Sequence, residues 1–557
     1  MADYDVIVIG GGVNGLTCAA YLAKSGMNVL VLERRDEIGS HCSTEEVTIP
    51  GFRHNLHATW IITATSPVIA DLELEKYGLE VAVSPYSYGY PLEDGRCVLM
   101  HTWDPMITYK NFAKFSQKDA DMFLKLSGEF APLYKELVDL ILFKKPGGEN
   151  FDRCMKMLDD VKSLPPGIPE MNGFEVLDLL FESTEIKTML ASLQWIGGLP
   201  PWHRLVGALG ALMVMGVGPV YAATQLKGGS HALPHTLGRC ILDNGGTILQ
   251  SCTVEKILVE NGKAVGVRIA ESSASVEKTF TAKHAVVSNL TAVPTFLQLL
   301  DPEHVSHELR TKISLFNYDE QVLFGAHYAL DDAPAWKCAE FDEGINGAFM
   351  GYFGAKNLDD LENFASNLNK GVILDRVMAN WFVPTLADPT QAPPGKHTAF
   401  IWWDVCYDLR RYGGPEAWDT VKDEFFERVT NCWENYAPGF KDRILGTFAY
   451  TPLDIYRRNP SAIKGCWTGG SVCAGQLYMD RPSALIGELS PRTPIKNLYL
   501  SNSVWPPGMT FLGAGYIAAD EILKDTGSGR PDWWRNEPLD WHLKFLNKIK
   551  TQAKKDK

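Results

Sequence analysis

The chain has 557 residues, and at ~150 residues per domain that is material for three or four domains. Apolar residues make up 45% and charged residues 22%, an ordinary globular balance that excludes disorder and collagen-like repeats. Lys and Arg number 53 against 67 Asp and Glu, a net charge of −14, which excludes a general nucleic-acid-binding surface.

Eleven cysteines are scattered with no C-x-x-C pair and no zinc spacing, so they read as reduced, mostly buried thiols of a cytoplasmic protein. The start, Met1-Ala2-Asp3-Tyr4-Asp5, is acidic and runs straight into a strand, unlike a secretory signal.

Tyr4-Asp5-Val6-Ile7-Val8-Ile9 is a continuous β-branched run, the pattern of a strand buried on both faces. It ends in Gly10-Gly11-Gly12-Val13-Asn14-Gly15, a G-x-G-x-x-G turn. A helix follows with Leu16, Ala19, Ala20, Leu22 and Ala23 on one face and stops at Ser25-Gly26. A second strand, Asn28 to Leu32, delivers Glu33. Gly10 makes the tight turn, Gly12 admits a pyrophosphate to the backbone, and Gly15 lets helix pack on strand. The helix N-terminus favours the phosphates, with Val13 and Asn14 in its first turn. Glu33 suits the adenosine ribose hydroxyls and disfavours a 2′-phosphate. A dinucleotide binds here.

Residues 105–224 read as a helical insertion, with Phe115, Phe123, Leu126, Phe130 and Leu133 at apolar periodic positions. Within it Leu205 to Ala223 carries no charge, but Gly207, Gly210, Gly216, Gly218 and Pro219 interrupt it. It reads as a buried helix and loop, with membrane contact as the other reading. Gly228-Gly229-Ser230 offers a turn and N-cap for a helix through Leu237 and Ile241, and Thr247-Ile248-Leu249 returns as a strand. Val254–Glu260 and Ala264–Ile269 flank Asn261-Gly262, a strong hairpin signal. Ala285-Val286-Val287-Ser288-Asn289 predicts another buried strand. Residues 300–485 mix strand-like runs (321–325, 398–403) with a helix from Trp418 to Tyr436. Near the end, a strand over 497–503 precedes Pro506-Pro507-Gly508-Met509-Thr510-Phe511-Leu512-Gly513 and a helix.

After Glu33, the run Arg34-Arg35-Asp36-Glu37-Ile38-Gly39-Ser40-His41 resembles the opening loop of FAD enzymes related to phytoene desaturases and amine oxidases. Pro50-Gly51-Phe52-Arg53-His54-Asn55-Leu56-His57-Ala58 is similar to the phytoene desaturase, carotenoid isomerase and retinol saturase branch in particular. The closing segment around Asn502 and 508–511 resembles that family's flavin loop. Where the family has glycine, this chain has Ser40, Asn502 and Met509.

The resemblance implies an α/β fold: a discontinuous Rossmann-like FAD-binding domain of amine oxidase/GDI-like type, a mixed sheet-and-helix substrate domain and the helical insertion. The expected parts are FAD-binding segments 1–104, 225–299 and 486–527, the insertion, the substrate domain, and a tail at 528–557. The implied FAD contacts are Gly10, Gly12, Val13, Asn14, Gly15, Glu33, Arg34, Gly39, Ser40, His41, Asn55, Leu56, His57, Val254 (backbone to adenine), Asn289, Asn502, Gly508, Met509, Thr510 and Phe511.

The implied activity is an FAD-dependent oxidoreductase on C–C or C=C bonds of an apolar isoprenoid, carotenoid, retinoid or terpene. Dehydrogenation, saturation and isomerisation all stay open, each by hydride exchange with flavin N5. His57 and Asp404 are the candidate catalytic groups, each with a purely structural role as the competing reading. A flavin amine oxidase and a non-catalytic prenyl-binding GDI or escort-like protein are the alternatives. The thirteen histidines show no H-E-x-x-H spacing, and no metal site is expected.

In the tail, Trp541, Phe545 and Ile549 lie at i, i+4 and i+8 among lysines. That helix suits a membrane surface, with a quinone acceptor, or equally docking on its own protein or a partner chain. A homo- or hetero-oligomer and a cytoplasmic, peripheral location are therefore expectations too.

Overall fold

A computed structural model of the protein describes residues 2–59, 66–133, 136–137, 139–145, 149–216, 224–320, 322–473, 475–476, 490–502, 512–535, 547 and 551. Its main strands, in chain order, are β1 (Tyr4–Ile9), β2 (Val29–Leu32), β3 (Tyr86–Pro91), β4 (Cys97–His101), β5 (Thr247–Leu249), β6 (Val254–Glu260) and β7 (Lys263–Ile269). They continue as β8 (Thr279–Ser288), β9 (Leu323–Leu330), β10 (Met350–Phe353), β11 (Ala379–Phe382), β12 (His397–Asp404), β13 (Ile444–Tyr450) and β14 (Leu498–Leu500). The helices that matter below are α1 (Val13–Lys24), α2 (Gln117–Phe130), α3 (Thr184–Ile196), α4 (Val206–Gly216), α5 (Ala232–Asp243), α6 (Trp418–Tyr436), α7 (Pro452–Arg458) and α8 (Gly513–Asp525).

The first sheet has the order β6-β7-β8-β1-β2-β5, with β14 beside the C-terminal half of β8. β5, β2, β1, β8 and β14 are parallel, and β6 and β7 form the antiparallel hairpin. β1 is buried from Val6 to Ile9 and β2 throughout, as continuous apolar runs require when helices cover both faces. Asn261 (φ +50°) and Gly262 (φ +74°) both take the left-handed conformation that a tight hairpin turn needs.

α1 packs against α5 and α8. Gly515 of α8 allows this closeness, because a Cβ there would lie 2.0 Å from the Asn14 carbonyl oxygen. Chain segments nearly five hundred residues apart thus share one core, with Leu16, Leu22, Ile517 and Ile522 all buried.

The second sheet runs β13-β9-β12-β11-β10-β3-β4 and is antiparallel except where β10 meets β3. β3 and β4 fall within 1–104, yet they extend this sheet rather than the first. Alternation along the strands divides its faces. Phe324, Tyr328 and Trp403 pack against Trp418, Phe425, Phe426 and Trp433 of α6. His327, Phe400 and Phe382 stack on the opposite face, with Trp402 edge-on to Phe382.

The insertion is helical, as its periodicity predicts. Ser116 caps α2 and Ser183 caps α3. The uncharged stretch from Leu205 forms the eleven-residue α4, and 217–223 lie outside the described residues. Among the described residues no helix is long and apolar enough to cross a membrane. One cap differs from expectation: α5 begins after His231 without a side-chain cap, because the Ser230 hydroxyl is turned to Thr44 Oγ1 (3.4 Å) and the Ser43 carbonyl (3.5 Å) instead.

The tail begins by docking on its own protein. Trp534 is buried against Tyr21 and Tyr516, and Arg530 pairs with Asp520. The expected amphipathic positions Trp541, Phe545 and Ile549 lie outside the described residues.

Candidate active site

The glycine turn opens onto a cavity of about 300 Å³. Gly10 has φ +93°, and a Cβ on Gly12 would come within 2.5 Å of Asn289 Nδ2, so the turn tolerates no side chain. α1 starts at Gly12 with no side chain capping it, which leaves its first amides for an anion. At one end sits Glu33, almost fully buried, whose Oε2 accepts the Gly11 N–H (2.7 Å) and whose Oε1 accepts the Arg35 N–H (2.8 Å). Each oxygen keeps lone-pair capacity for a sugar hydroxyl. Arg34, Cys252 and Val254 complete that end.

A second cavity of about 140 Å³ continues from Gly12, Ser40, His41 and His57 toward Asn502 and Trp467. Val13, Asn14, Gly39 and Asn289 also line it. Asn14 Oδ1 is buried there without a hydrogen-bond partner. An elongated two-part cleft, with a ribose acceptor at one end and phosphate-ready amides midway, fits a dinucleotide.

A strap forms one wall of the cleft. α7 carries a capping box in which the Thr451 hydroxyl accepts the Asp454 N–H while the Asp454 carboxylate accepts the Thr451 N–H. It ends at Arg458-Asn459-Pro460-Ser461. Arg458 pairs with Glu45, and its carbonyl accepts the Arg34 guanidinium. Asn459 Nδ2 donates to Ser40 Oγ (3.0 Å) and to His41 Nε2 (3.4 Å). Thr291 N–H donates to Ser461 Oγ (2.8 Å). Arg458 Nε lies at the first cavity, buried and unpartnered, a cation suited to a phosphate. Sequence reasoning missed Arg458, Asn459 and Ser461. The available signal was a capped helix ending in a basic, Pro-containing turn.

On the other side of the second cavity stands a cluster of imidazoles. His57 packs edge-on against Tyr450 (centroids 5.0 Å apart) and near His41 (5.4 Å). His327 sits between His54 and Phe400. Burial lowers His41 to about 4 and His54 to about 3, and it holds His57 and His327 well below the usual imidazole range. All four rings are therefore neutral at physiological pH. Tyr450 lies over Gly325, where a Cβ would collide with its ring at 2.2 Å, and its hydroxyl donates to the Leu56 carbonyl (2.6 Å).

Four expected site residues lie back from the cavities. Gly15 abuts the Gly10 carbonyl and Asn289 as a packing contact. Asn55 is consumed as a bracket, accepting from Thr44 and Ser230 and donating to Thr59 and Gln391. Leu56 meets Tyr450 through its carbonyl. Asp404, expected as a catalytic carboxylate, lines neither cavity. It is buried at the end of β12 and accepts the Trp195 indole N–H of α3, and burial raises its carboxyl to about 7. Gly508, Met509, Thr510 and Phe511 lie outside the described residues.

The sequence matches the NAD(P)-binding Rossmann-like domain over residues 8–72 and the GMC oxidoreductase family over 222–301. Pyridine nucleotide-disulfide oxidoreductase domain-containing protein 2 of Rattus norvegicus is 30% identical over 564 residues, covering 94% of each chain. A limonene dehydrogenase polypeptide of Castellaniella defragrans is 28% identical over 542 residues, covering 95% of this chain and 96% of its own. The protein belongs to the phytoene desaturase-like family of FAD-dependent oxidoreductases.

This flavoenzyme shares its fold with putrescine oxidase, whose solved structure aligns with a TM-score of 0.59 at 14% identity over 94% of this chain and 99% of that one. The cofactor of the family is FAD, and the cleft just described carries the donor and acceptor set that FAD requires. Glu33 lines the first cavity with its carboxylate held by the Gly11 amide, at the position where the motif spacing expects a ribose acceptor.

Proposed function

We propose that the flavoenzyme acts on a C–C or C=C bond of an uncharged, apolar isoprenoid or terpene by hydride exchange with its flavin. One observation carries this reading: among the described residues lining the second cavity there is no Asp, Glu, Lys or Arg. Its two histidines, His41 and His57, are kept neutral by burial. The flavin end of the cleft therefore holds no charged side chain to neutralise an ammonium or a carboxylate, and desolvating either would be costly. Next to it, the aromatic layer of His327, Phe400, Trp402 and Phe382, reached through Tyr450 beside His57, suits hydrocarbon. The relative named limonene dehydrogenase acts, by its name, on a terpene.

Bound FAD would supply a hydride acceptor or donor at N5. The chain's part is to hold the substrate, keep water out and handle the proton that accompanies the hydride. His57 is our candidate for the proton: it lines both cavities, is unprotonated, and is braced by Tyr450. The strap from Arg458 to Ser461 walls one side of the cleft. The domain limits, a quinone as electron acceptor, contact of the tail with a membrane surface and assembly with a further chain are part of this proposal and rest on sequence alone.

The test is anaerobic mixing of FAD-loaded protein with a cyclic monoterpene, a carotenoid, a retinoid and a primary amine. We expect an isoprenoid to bleach the flavin and the amine to leave it oxidised. If the reaction runs as a saturation, dithionite-reduced enzyme is reoxidised by an unsaturated member of the panel instead. Bleaching by the amine alone, or no response in either direction, overturns the reading.

A further inference from the structure

A second cluster of ligating side chains lies outside the flavin cleft, on the outer side of the loop that follows Glu33. His231 and His235 are four residues apart, His231 immediately before α5 and His235 in its first turn. That spacing places them on one face, as in helical zinc motifs. Their rings stack with centroids 4.2 Å apart at 28°. Both Nε2 atoms converge on a single atom, Glu37 Oε1, at 3.3 Å from His231 and 2.7 Å from His235.

These separations are close to those around a tetrahedral metal. Zinc–nitrogen and zinc–oxygen bonds of ~2.0–2.2 Å put neighbouring ligand atoms ~3.3 Å apart. The His231–Glu37 separation already has that value, and the His235–Glu37 pair needs to open by roughly half an ångström. A fourth donor is at hand, since the Ile38 carbonyl oxygen lies 2.8 Å from His231 Nε2.

The three side chains are also held in place. Ile38 is buried between Glu37 and Gly39, and its Cδ1 lies 3.0 Å from where a Cβ of Gly238 would stand. Gly39 has φ +122°, and a Cβ there would meet Pro234 at 2.9 Å and His231 Cδ2 at 3.3 Å. The turn carrying Glu37 is thereby pressed onto the start of α5. Glu37 and His235 are each nearly half exposed, so an ion has an open approach. Burial lowers His231 below the ordinary imidazole value, which favours the neutral form that ligates.

We propose that Glu37, His231 and His235 form a binding site for a divalent transition-metal ion of the zinc type, tethering the loop after Glu33 to α5. Binding moves the ring protons of His231 and His235 from Nε2 to Nδ1, freeing Nε2 for the metal. The Ile38 carbonyl or a water takes the fourth position. The site rests on side chains separate from those assigned to the flavin, so it stands or falls independently of the substrate reading.

The experiment uses full-length, FAD-loaded protein stripped with a chelator and dialysed. Zn²⁺ is titrated by calorimetry, and Co²⁺ is followed by its visible ligand-field absorption. We expect one equivalent to bind and to raise the melting temperature, because a ligand selective for the native state stabilises it. His235→Ala and Glu37→Gln, both at accessible positions, should each weaken binding by about tenfold or more. They should also abolish the thermal shift while FAD content stays at the wild-type level. His307→Ala, at an exposed histidine elsewhere, should change nothing. Absence of binding, or an affinity and thermal shift unaltered in both His235→Ala and Glu37→Gln, overturns the proposal.

Discussion

Glu33 is anchored by two backbone amides, Gly11 and Arg35, before any ligand is considered. Replacing it by arginine removes both acceptors and puts a cation where ribose hydroxyls need lone pairs. Glu33→Arg should weaken FAD retention at least about tenfold, the scale of a lost charge-assisted hydrogen bond; flavin absorbance per chain after gel filtration measures it. Arg458→Met should act in the same direction, because it removes both the cation at the first cavity and the tie to Glu45.

Asp404 gives a pH test. Its carboxyl ionises near the usual ~4 when unfolded and near 7 when folded. The folded state therefore holds a proton the unfolded state has lost, and stability falls as pH rises from about 4 to about 7, then levels. Asp404→Asn should remove that slope, so the melting-temperature difference between variant and parent should widen across this window. Flavin reduction should survive the change. Glu33 was readable because strand, glycine turn, helix and acid stand at fixed spacing. Arg458 was not, because its partner Glu45 is 413 residues away, a distance no local pattern spans. Asp404 looked functional beside Trp402 and Trp403, and only the tertiary partner Trp195 explains it as a buried, hydrogen-bonded group.

Elements that carry their own period were legible to within a residue. Trp418–Tyr436 forms the helix predicted, with Phe425, Val429, Trp433 and Tyr436 buried on one face. The Asn261-Gly262 hairpin behaves likewise. What local pattern left undecided is which sheet a hairpin joins, hence the surprise at β3 and β4. Their residues, buried almost throughout, do not name a sheet, and the choice is made by the pairing of β3 with β10 at Gly89 and Gly351. The packing of α8 on α1 is also tertiary, and it turns on Gly515. Gly515→Ala sets a methyl against the Asn14 carbonyl, an overpacking that costs about 1–3 kcal/mol. Thermal unfolding should report the loss, and FAD should dissociate faster because Asn14 belongs to the turn at the cavity.

At the scale of the molecule, the first sheet cannot be completed until the last strand arrives, since β14 pairs with β8 and α8 covers α1. A protein ending at residue 489 should therefore fail to retain FAD even though Gly10, Gly12 and Glu33 are all present. Size-exclusion chromatography and flavin content of the truncated chain check this, and stoichiometric FAD in it would contradict the closed-sheet account.

The Tyr450 ring resting on Gly325 links the second sheet to the wall of the flavin cleft. Its phenol grips the Leu56 carbonyl, one residue before His57, so strain applied to the β9–β13 floor is passed to the flavin-side wall without an intervening loop to absorb it. Even one methyl group at position 325 would prise that ring loose, and the second sheet and the flavin cleft would then lose their common alignment.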